Sequence, residues 1–178
     1  PGETWDYNSV MPMILADQTV DGKPRKVLYH APKNGFFYVI DRTNGKLISA
    51  ENYVPVTWAT GIDKVSGRPI EAPNARYTDG PFKVSPGTGG SHNWHPMAIH
   101  PETGVVYFDA RESASIFQND ASFTPYGIAQ FNTGGTRIHS GGPSYTLAWD
   151  PKTQKEVWRV PGPGGSYLLT KAGLLFHG

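Results

Sequence analysis

Val39-Ile40-Asp41-Arg42-Thr43-Asn44-Gly45-Lys46 and, further along, Ala148-Trp149-Asp150-Pro151-Lys152-Thr153-Gln154-Lys155 are two copies of one unit. Each has two apolar residues, an aspartate, a four-residue turn and a lysine that opens the next strand. An aspartate in that place caps its own turn by accepting from backbone N–H groups two and three residues on. Gly45 supplies positive φ at the end of the turn. Gln154 stands there in the second copy, which predicts a turn that avoids positive φ. Trp158, in the strand after the second copy, is placed to pack between sheets. Repetition of such a unit marks radial β architecture, most often a propeller. Two copies alone fit two unrelated β-hairpins equally well.

Outward from the first copy, strand patterns run over Val10 to Leu15 (interrupted by Pro12), Lys26 to His30, Phe36 to Ile40 and Leu47 to Ser49. Asp21-Gly22, Lys33-Asn34-Gly35 and the Asp41 turn separate them, which predicts a four-stranded antiparallel meander. Around the second copy lie Met97 to His100, Val105 to Phe108, Tyr145 to Trp149, Glu156 to Val160, Tyr167 to Thr170 and Leu174 to His177. Pro101-Glu102-Thr103-Gly104 is a turn between the first two of these. Residues 50–91 and 111–143 alternate poorly and read as long loop excursions that pack over the surface or line a site. No window sustains a 3.6-residue apolar period, so almost no helix is expected.

Composition agrees with an all-β chain. Gly (21) and Pro (16) make about a fifth of the 178 residues, against roughly 12% in average proteins. The 12% aromatic content argues against disorder. A net charge of +1 offers no electrostatic case for nucleic acid or for an anionic membrane surface. With no cysteine, disulfides, thiolate zinc sites and c-type haem attachment are excluded within this stretch. No apolar run approaches the ~18 residues of a transmembrane helix. The opening at Pro1 and the strand-like close at Leu174–Gly178 read as the ends of a piece cut from a longer protein.

The unit at Ala148 to Trp158 resembles the tryptophan-docking repeat of quinoprotein dehydrogenases. Glu3-Thr4-Trp5-Asp6-Tyr7-Asn8-Ser9-Val10 resembles the family segment that bears the catalytic aspartate. Asp21 to Lys26 followed by Ala31-Pro32-Lys33-Asn34-Gly35-Phe36-Phe37-Tyr38 resembles a cofactor-contacting segment, and Ser91-His92-Asn93-Trp94 resembles another. The likeness spans nearly the whole chain and is nearest to the alcohol dehydrogenases that depend on pyrroloquinoline quinone (PQQ). It implies an all-β fold, a partial eight-bladed β-propeller of about two to three blades, with residues 1–178 forming part of one PQQ-binding domain. It further implies a periplasmic enzyme that oxidises a small primary alcohol, with PQQ and calcium as cofactors and a cytochrome c-type electron acceptor. Haem c would belong to a missing downstream domain. The alternative is a non-catalytic propeller that scaffolds protein assembly, or an inactive fragment.

Residue by residue, the resemblance makes Asp6 the general base and a calcium ligand, and Lys33, Asn93 and Trp94 contacts of the quinone. The chemistry fits: a carboxylate takes a hydroxyl proton, and an ammonium stabilises charge that develops on the quinone oxygen. Asn93 offers an amide to the quinone edge, and Trp94 an indole N–H and a flat wall. Taken alone, Asp6 reads as a turn-capping carboxylate, Lys33 as a solvated turn lysine and Trp94 as a core residue. Lanthanide-using relatives carry a second acid two positions after the catalytic aspartate. Asn8 stands there and favours calcium over a trivalent ion. His92 and His95 have a spacing that zinc could use, but no cysteine or third close ligand accompanies them. The Gly162-Pro163-Gly164-Gly165 stretch departs from the family, which places a tryptophan-containing loop there.

Overall fold

The structure, a computed structural model, describes residues 3–122, 124 and 135–178. Its strands are β1 (Ile14–Val20), β2 (Lys23–His30), β3 (Phe36–Asp41), β4 (Leu47–Asn52), β5 (Ala59–Ile62), β6 (Pro69–Glu71), β7 (Phe82–Val84) and β8 (Ala98–Ile99). They continue as β9 (Val106–Arg111), β10 (Ala114–Asn119), β11 (Gly135–Ser140), β12 (Ser144–Asp150), β13 (Lys155–Pro161), β14 (Tyr167–Leu169) and β15 (Leu175–His177). No helix occurs among the described residues.

Strands β1-β2-β3-β4 form one antiparallel blade in chain order, and β13-β12-β9-β8 form a second. The β14-β15 hairpin is a separate sheet that rests on the second blade, the Tyr167 amide donating to the Pro96 carbonyl at 3.2 Å and its hydroxyl meeting Thr146 Oγ1 at 2.9 Å. Between the blades, β5-β6 is a separate hairpin, and β7 joins β10 and β11 in a three-stranded sheet. Among the described residues, two four-stranded blades, a three-stranded sheet and two hairpins give the arrangement of a partial β-propeller.

Strand β3 shows why the blades assemble. Side chains alternate across a strand, and both faces of β3 are apolar. Phe37 and Val39 enter the core between the blades, with Val27, Tyr29, Phe108, Leu147 and Trp149. Phe36 enters a second core with Trp5, Trp58, Tyr77 and Phe117. Phe37 is fully buried, its ring centroid 5.8 Å from Phe108 and 6.1 Å from Trp149, so one residue of the first blade spans two strands of the second.

Four turns share one geometry. Asp41 accepts from the Thr43 amide (2.9 Å), and Asp150 accepts from the Lys152 amide (2.9 Å). The Gly45 and Gln154 amides each close back on the aspartate carbonyl at 2.8 Å. Asp63 and Gly67 repeat this arrangement in the β5-β6 hairpin. In the β8-β9 turn His100 replaces the aspartate, its Nδ1 accepting from the Glu102 and Thr103 amides at 3.3 Å. The Asp63-x-x-x-Gly67 spacing is visible in the sequence and was legible as a third copy.

Several expectations need correction. The first strand lies at Ile14–Val20, not at Val10 to Leu15. Asp21 (φ 50°) and Gly22 (φ 72°) form a two-residue turn that pairs Val20 with Lys23, and this register carries the strand back only to Ile14. The excursion at 50–91 holds β5, β6 and β7, and that at 111–143 holds β10 and β11; residues 123 and 125–134 lie outside the described residues. These strands are short or polar on one face, which hides their period. Trp158 does not pack between sheets: it is 39% exposed and tilted against Tyr107 across its own sheet. The indole between the blades is Trp149.

Gln154 does adopt positive φ (54°), contrary to the expected turn. Its side chain offsets the strain: Oε1 accepts from Trp149 Nε1 at 3.3 Å, and Nε2 donates to Ser49 Oγ on the other blade at 2.8 Å. Left-handed backbone costs a non-glycine residue roughly 1–2 kcal/mol. Two hydrogen bonds contribute about 1 kcal/mol each, and an orphaned buried indole N–H costs about 1–3 kcal/mol. The bonds outweigh the strain. Gln154→Gly is therefore expected to destabilise the protein by about 1–2 kcal/mol, and Gln154→Ala by about 1 kcal/mol more, in denaturant unfolding. A glycine variant more stable than the parent would show that strain dominates.

Candidate functional site

The segment Glu3 to Tyr7 is pinned at alternate residues. Trp5 is buried, and its Nε1 donates to the Ala75 carbonyl at 2.7 Å. The Tyr7 hydroxyl donates to the Pro86 carbonyl. Both rings pack on Trp58, with centroids 4.9 and 5.5 Å away. The Glu3 carboxylate accepts from the Trp5 and Tyr7 amides at 2.6 and 2.9 Å. Burial, with the Glu3 charge adding to it, pushes the Tyr7 phenol well above its ordinary value, so it stays a donor. Asp6 lies between these anchors in left-handed backbone (φ 65°). Asp tolerates that region better than most residues, and the carboxylate is held toward Lys33.

Lys33 leaves the Pro32–Gly35 turn before β3 and is only 7% exposed. It is not a solvated turn lysine. Its ammonium has three acceptors: Asn8 Oδ1 at 2.7 Å, the Asp6 carbonyl at 2.9 Å and Asp6 Oδ2 at 3.4 Å. Three donors meet three acceptors, which makes a buried charge tolerable. Among the described residues, Asp6 caps no turn: its carboxylate meets the Lys33 ammonium instead. Asn8, considered above only for its bearing on a metal, is the nearest partner of Lys33.

The glycine-rich loop lies against the stem of Lys33. The Ser91 amide donates to the Lys33 carbonyl at 3.1 Å. Gly90 has φ 77°, and a Cβ placed there would come within 2.6 Å of Lys33 Cβ and nearer still to Cγ. Asn93, next along, donates to the Gly89 carbonyl at 3.0 Å. Trp94 is 62% exposed and stacks on His95 at 4.1 Å; it is not a core residue. Asp6 and Lys33 thus meet directly, whereas Asn93 and Trp94 approach Lys33 through the loop backbone.

Beneath the loop, His92 Nδ1 is 2.8 Å from Asp109 Oδ1, and His95 Nδ1 is 3.7 Å from Asp109 Oδ2. The histidine pair noticed in the sequence faces a carboxylate on β9. His30 lies nearby with Nε2 2.8 Å from Ser9 Oγ, and burial lowers its pKa against the opposing Pro12 carbonyl. Sequence reading offers no signal for Asp109, because only the pairing of β9 with β12 brings it under the loop.

The donor set suits a quinone edge: a buried ammonium, a carboxamide and an indole N–H. A metal ion is less well provided for. Among the described residues no group of three or more His, Cys, Asp or Glu side chains is arranged to hold a metal ion, so Asp6 would be one ligand beside others from outside this chain. A surface cleft of about 590 Å³, lined by Tyr38, Leu47, Lys64 and Gly67 among others, contains none of the four candidate residues.

Residues 2–77 match the family model described as the glucose/ethanol/alcohol dehydrogenase β-propeller domain of PQQ enzymes. The whole chain is 45% identical to the quinohemoprotein alcohol dehydrogenase ADH IIB of Pseudomonas putida, and covers 27% of it. It is 44% identical to the 1-butanol dehydrogenase (cytochrome c) of Thauera butanivorans over 100% of this chain and 28% of that one. The crystal structure of the quinohemoprotein alcohol dehydrogenase of Comamonas testosteroni superposes with a TM-score of 0.86 at 43% identity, over 99% of this chain and 28% of that one. The chain is a relative of the PQQ-dependent alcohol dehydrogenases and spans little more than a quarter of their length.

The contact of Gly90 with Lys33 separates two costs. Gly22→Ala meets left-handed backbone (φ 72°) with no neighbour near the new methyl group, and is expected to cost roughly 1–2 kcal/mol. Gly90→Ala adds overpacking against Lys33, about 1–3 kcal/mol more. Unfolding of the two variants side by side checks this; equal losses would show that the loop does not rest on the lysine.

Proposed function

We propose that the polypeptide containing this chain oxidises a primary alcohol to the aldehyde, and that Asp6, Lys33, Asn93 and Trp94 are its contribution to the active site. The observation that carries this reading is the buried Lys33 ammonium, shared between Asp6 and Asn8. A scaffold propeller needs the capped turns, but nothing in such a role calls for burying a lysine between two polar loops. When bound, PQQ supplies the hydride acceptor and calcium a Lewis acid that polarises the quinone carbonyl.

The chain's own residues then have distinct tasks. The Asp6 carboxylate takes the proton of the substrate hydroxyl as the C–H bond gives up its hydride, leaving aldehyde and a protonated Asp6. Lys33 orients that carboxylate. Its positive charge would also stabilise negative charge developing on a bound quinone. Asn93 and Trp94 offer donors to the same edge of the cofactor. Asn8, engaged by Lys33, presents a neutral side chain, and calcium fits such a site better than a trivalent ion.

The wider reading follows the family likeness: a single PQQ-binding propeller domain to which residues 1–178 contribute, a periplasmic enzyme, and electrons passing to a cytochrome c-type acceptor. A haem c domain in the same polypeptide fits the quinohemoprotein names of the relatives.

Asp6→Asn keeps the shape of the side chain and removes the base. In the full-length enzyme, kcat for dye-linked ethanol oxidation should fall by roughly 10²–10⁴, with PQQ occupancy, read by absorbance, unchanged. A fully loaded variant with parental turnover would remove Asp6 from the role of base.

A further inference from the structure

We propose that Asp109 is the positioning residue of the Asn93–Trp94 segment: one buried carboxylate between His92 and His95 sets both side chains of that pair. This inference rests on the reading of Asn93 and Trp94 as cofactor contacts.

Asp109 lies on β9, opposite Thr146 of β12, and is 7% exposed. Burying a carboxylate is costly unless it is paired and hydrogen-bonded. Among the described residues no lysine or arginine forms an ion pair with it; its partners are two imidazoles. They bracket the dipeptide. His92 precedes Asn93, is 1% exposed and stands edge-on to Phe108 at 5.5 Å. His92 Nδ1 and Asp109 Oδ1 share a hydrogen bond of 2.8 Å between two buried side chains. His95 follows Trp94 and carries the indole stacked on its ring. Asp109 Oδ1 thus holds the near end of the segment and Oδ2 faces the far end.

The surroundings give the clamp a fixed base. The Arg111 amide donates to the Ser91 carbonyl at 2.8 Å, so β9 also holds the loop where it leaves Lys33. From the other side the loop after β13 closes over the carboxylate: a Cβ at Gly164 would come 2.9 Å from Asp109 Oδ2. Glycine at that place lets the backbone cover Asp109. A loop rich in glycine has many conformations to lose, and one imidazole hydrogen-bonded to Asp109, with a second 3.7 Å from its other oxygen, beyond hydrogen-bond distance, selects among them. The clamp orients Asn93 and Trp94 before any cofactor arrives, which is how supporting groups raise affinity.

The test uses the full-length enzyme, stripped of cofactor and titrated with PQQ in the presence of calcium. Asp109→Asn should raise the PQQ dissociation constant about ten- to hundredfold, the usual effect of losing an orienting partner. Asn93→Ala should weaken binding as well, and adding Asp109→Asn to it should cost far less than the product of the single effects. Leu147→Ala, in the core of the same sheet, serves as the stability control: its Tm falls while PQQ affinity stays within about twofold. His95→Ala removes one arm at a quarter-exposed side chain and should weaken PQQ in the same direction if Asp109→Asn does not fold. Parental affinity in Asp109→Asn, or in His95→Ala where that variant stands in for it, overturns the proposal. So does a fully multiplicative loss in the double variant, or an equal loss in Leu147→Ala. Parental affinity in Asn93→Ala would instead remove the cofactor reading on which the proposal rests.

Discussion

Phe37 between Phe108 and Trp149 is the contact on which the rest of the molecule depends. It is the point where a strand of one blade meets two strands of the next, and it leaves no room for the blades to slide. A fully buried aromatic of this size is worth about 3–5 kcal/mol against truncation, more than any single turn or surface ion pair contributes. Polar contacts then fix what the apolar seam leaves open. The hydrogen bond from Gln154 to Ser49 ties the turn of the second blade to the last strand of the first. A strained backbone at Gln154 persists because the side chain serves both blades.

The loops that carry the candidate residues leave this frame at defined places. Lys33 sits just before β3, so its backbone position follows from the strand that holds Phe36 and Phe37. Asp109 sits within β9, beside Phe108. Apolar side chains that lock the blades together are therefore immediate neighbours of the polar groups that shape the site. Asp6 is positioned differently, by two aromatic anchors on either side of it. Trp5 and Tyr7 both rest on Trp58 in the second core. A change in the second core is therefore felt at the Asp6 carboxylate through one residue of backbone.

The buried ammonium is the costliest polar feature here, and its surroundings explain how it persists. Asn8, the Asp6 carbonyl and the Asp6 carboxylate satisfy its three donors, while Gly90 lets backbone close over its aliphatic stem. The stem contributes apolar contact and the head contributes a charge that is itself buried. Charge in such a place acts more strongly than in solvent.

The sequence by itself determined the turns and hence the blade meander. Asp-x-x-x-Gly spacing and the Asp21-Gly22 pair are local chemistry, fixed within a few residues by side-chain caps and positive φ. It also carried Asp6, Lys33, Asn93 and Trp94 as candidates, through motifs that lie each in one short segment. It did not show β5 to β7, β10 or β11, whose alternation is too short or too polar to register. Nor did it show that Lys33 is buried, that Gln154 spans two blades, or that Asp109 lies between His92 and His95. Those facts depend on pairs far apart in the chain, brought together when β9 joins β12 and the blades close on Phe37. Local hydrogen bonding is written in neighbouring residues; burial and long-range pairing exist only once the sheets have packed.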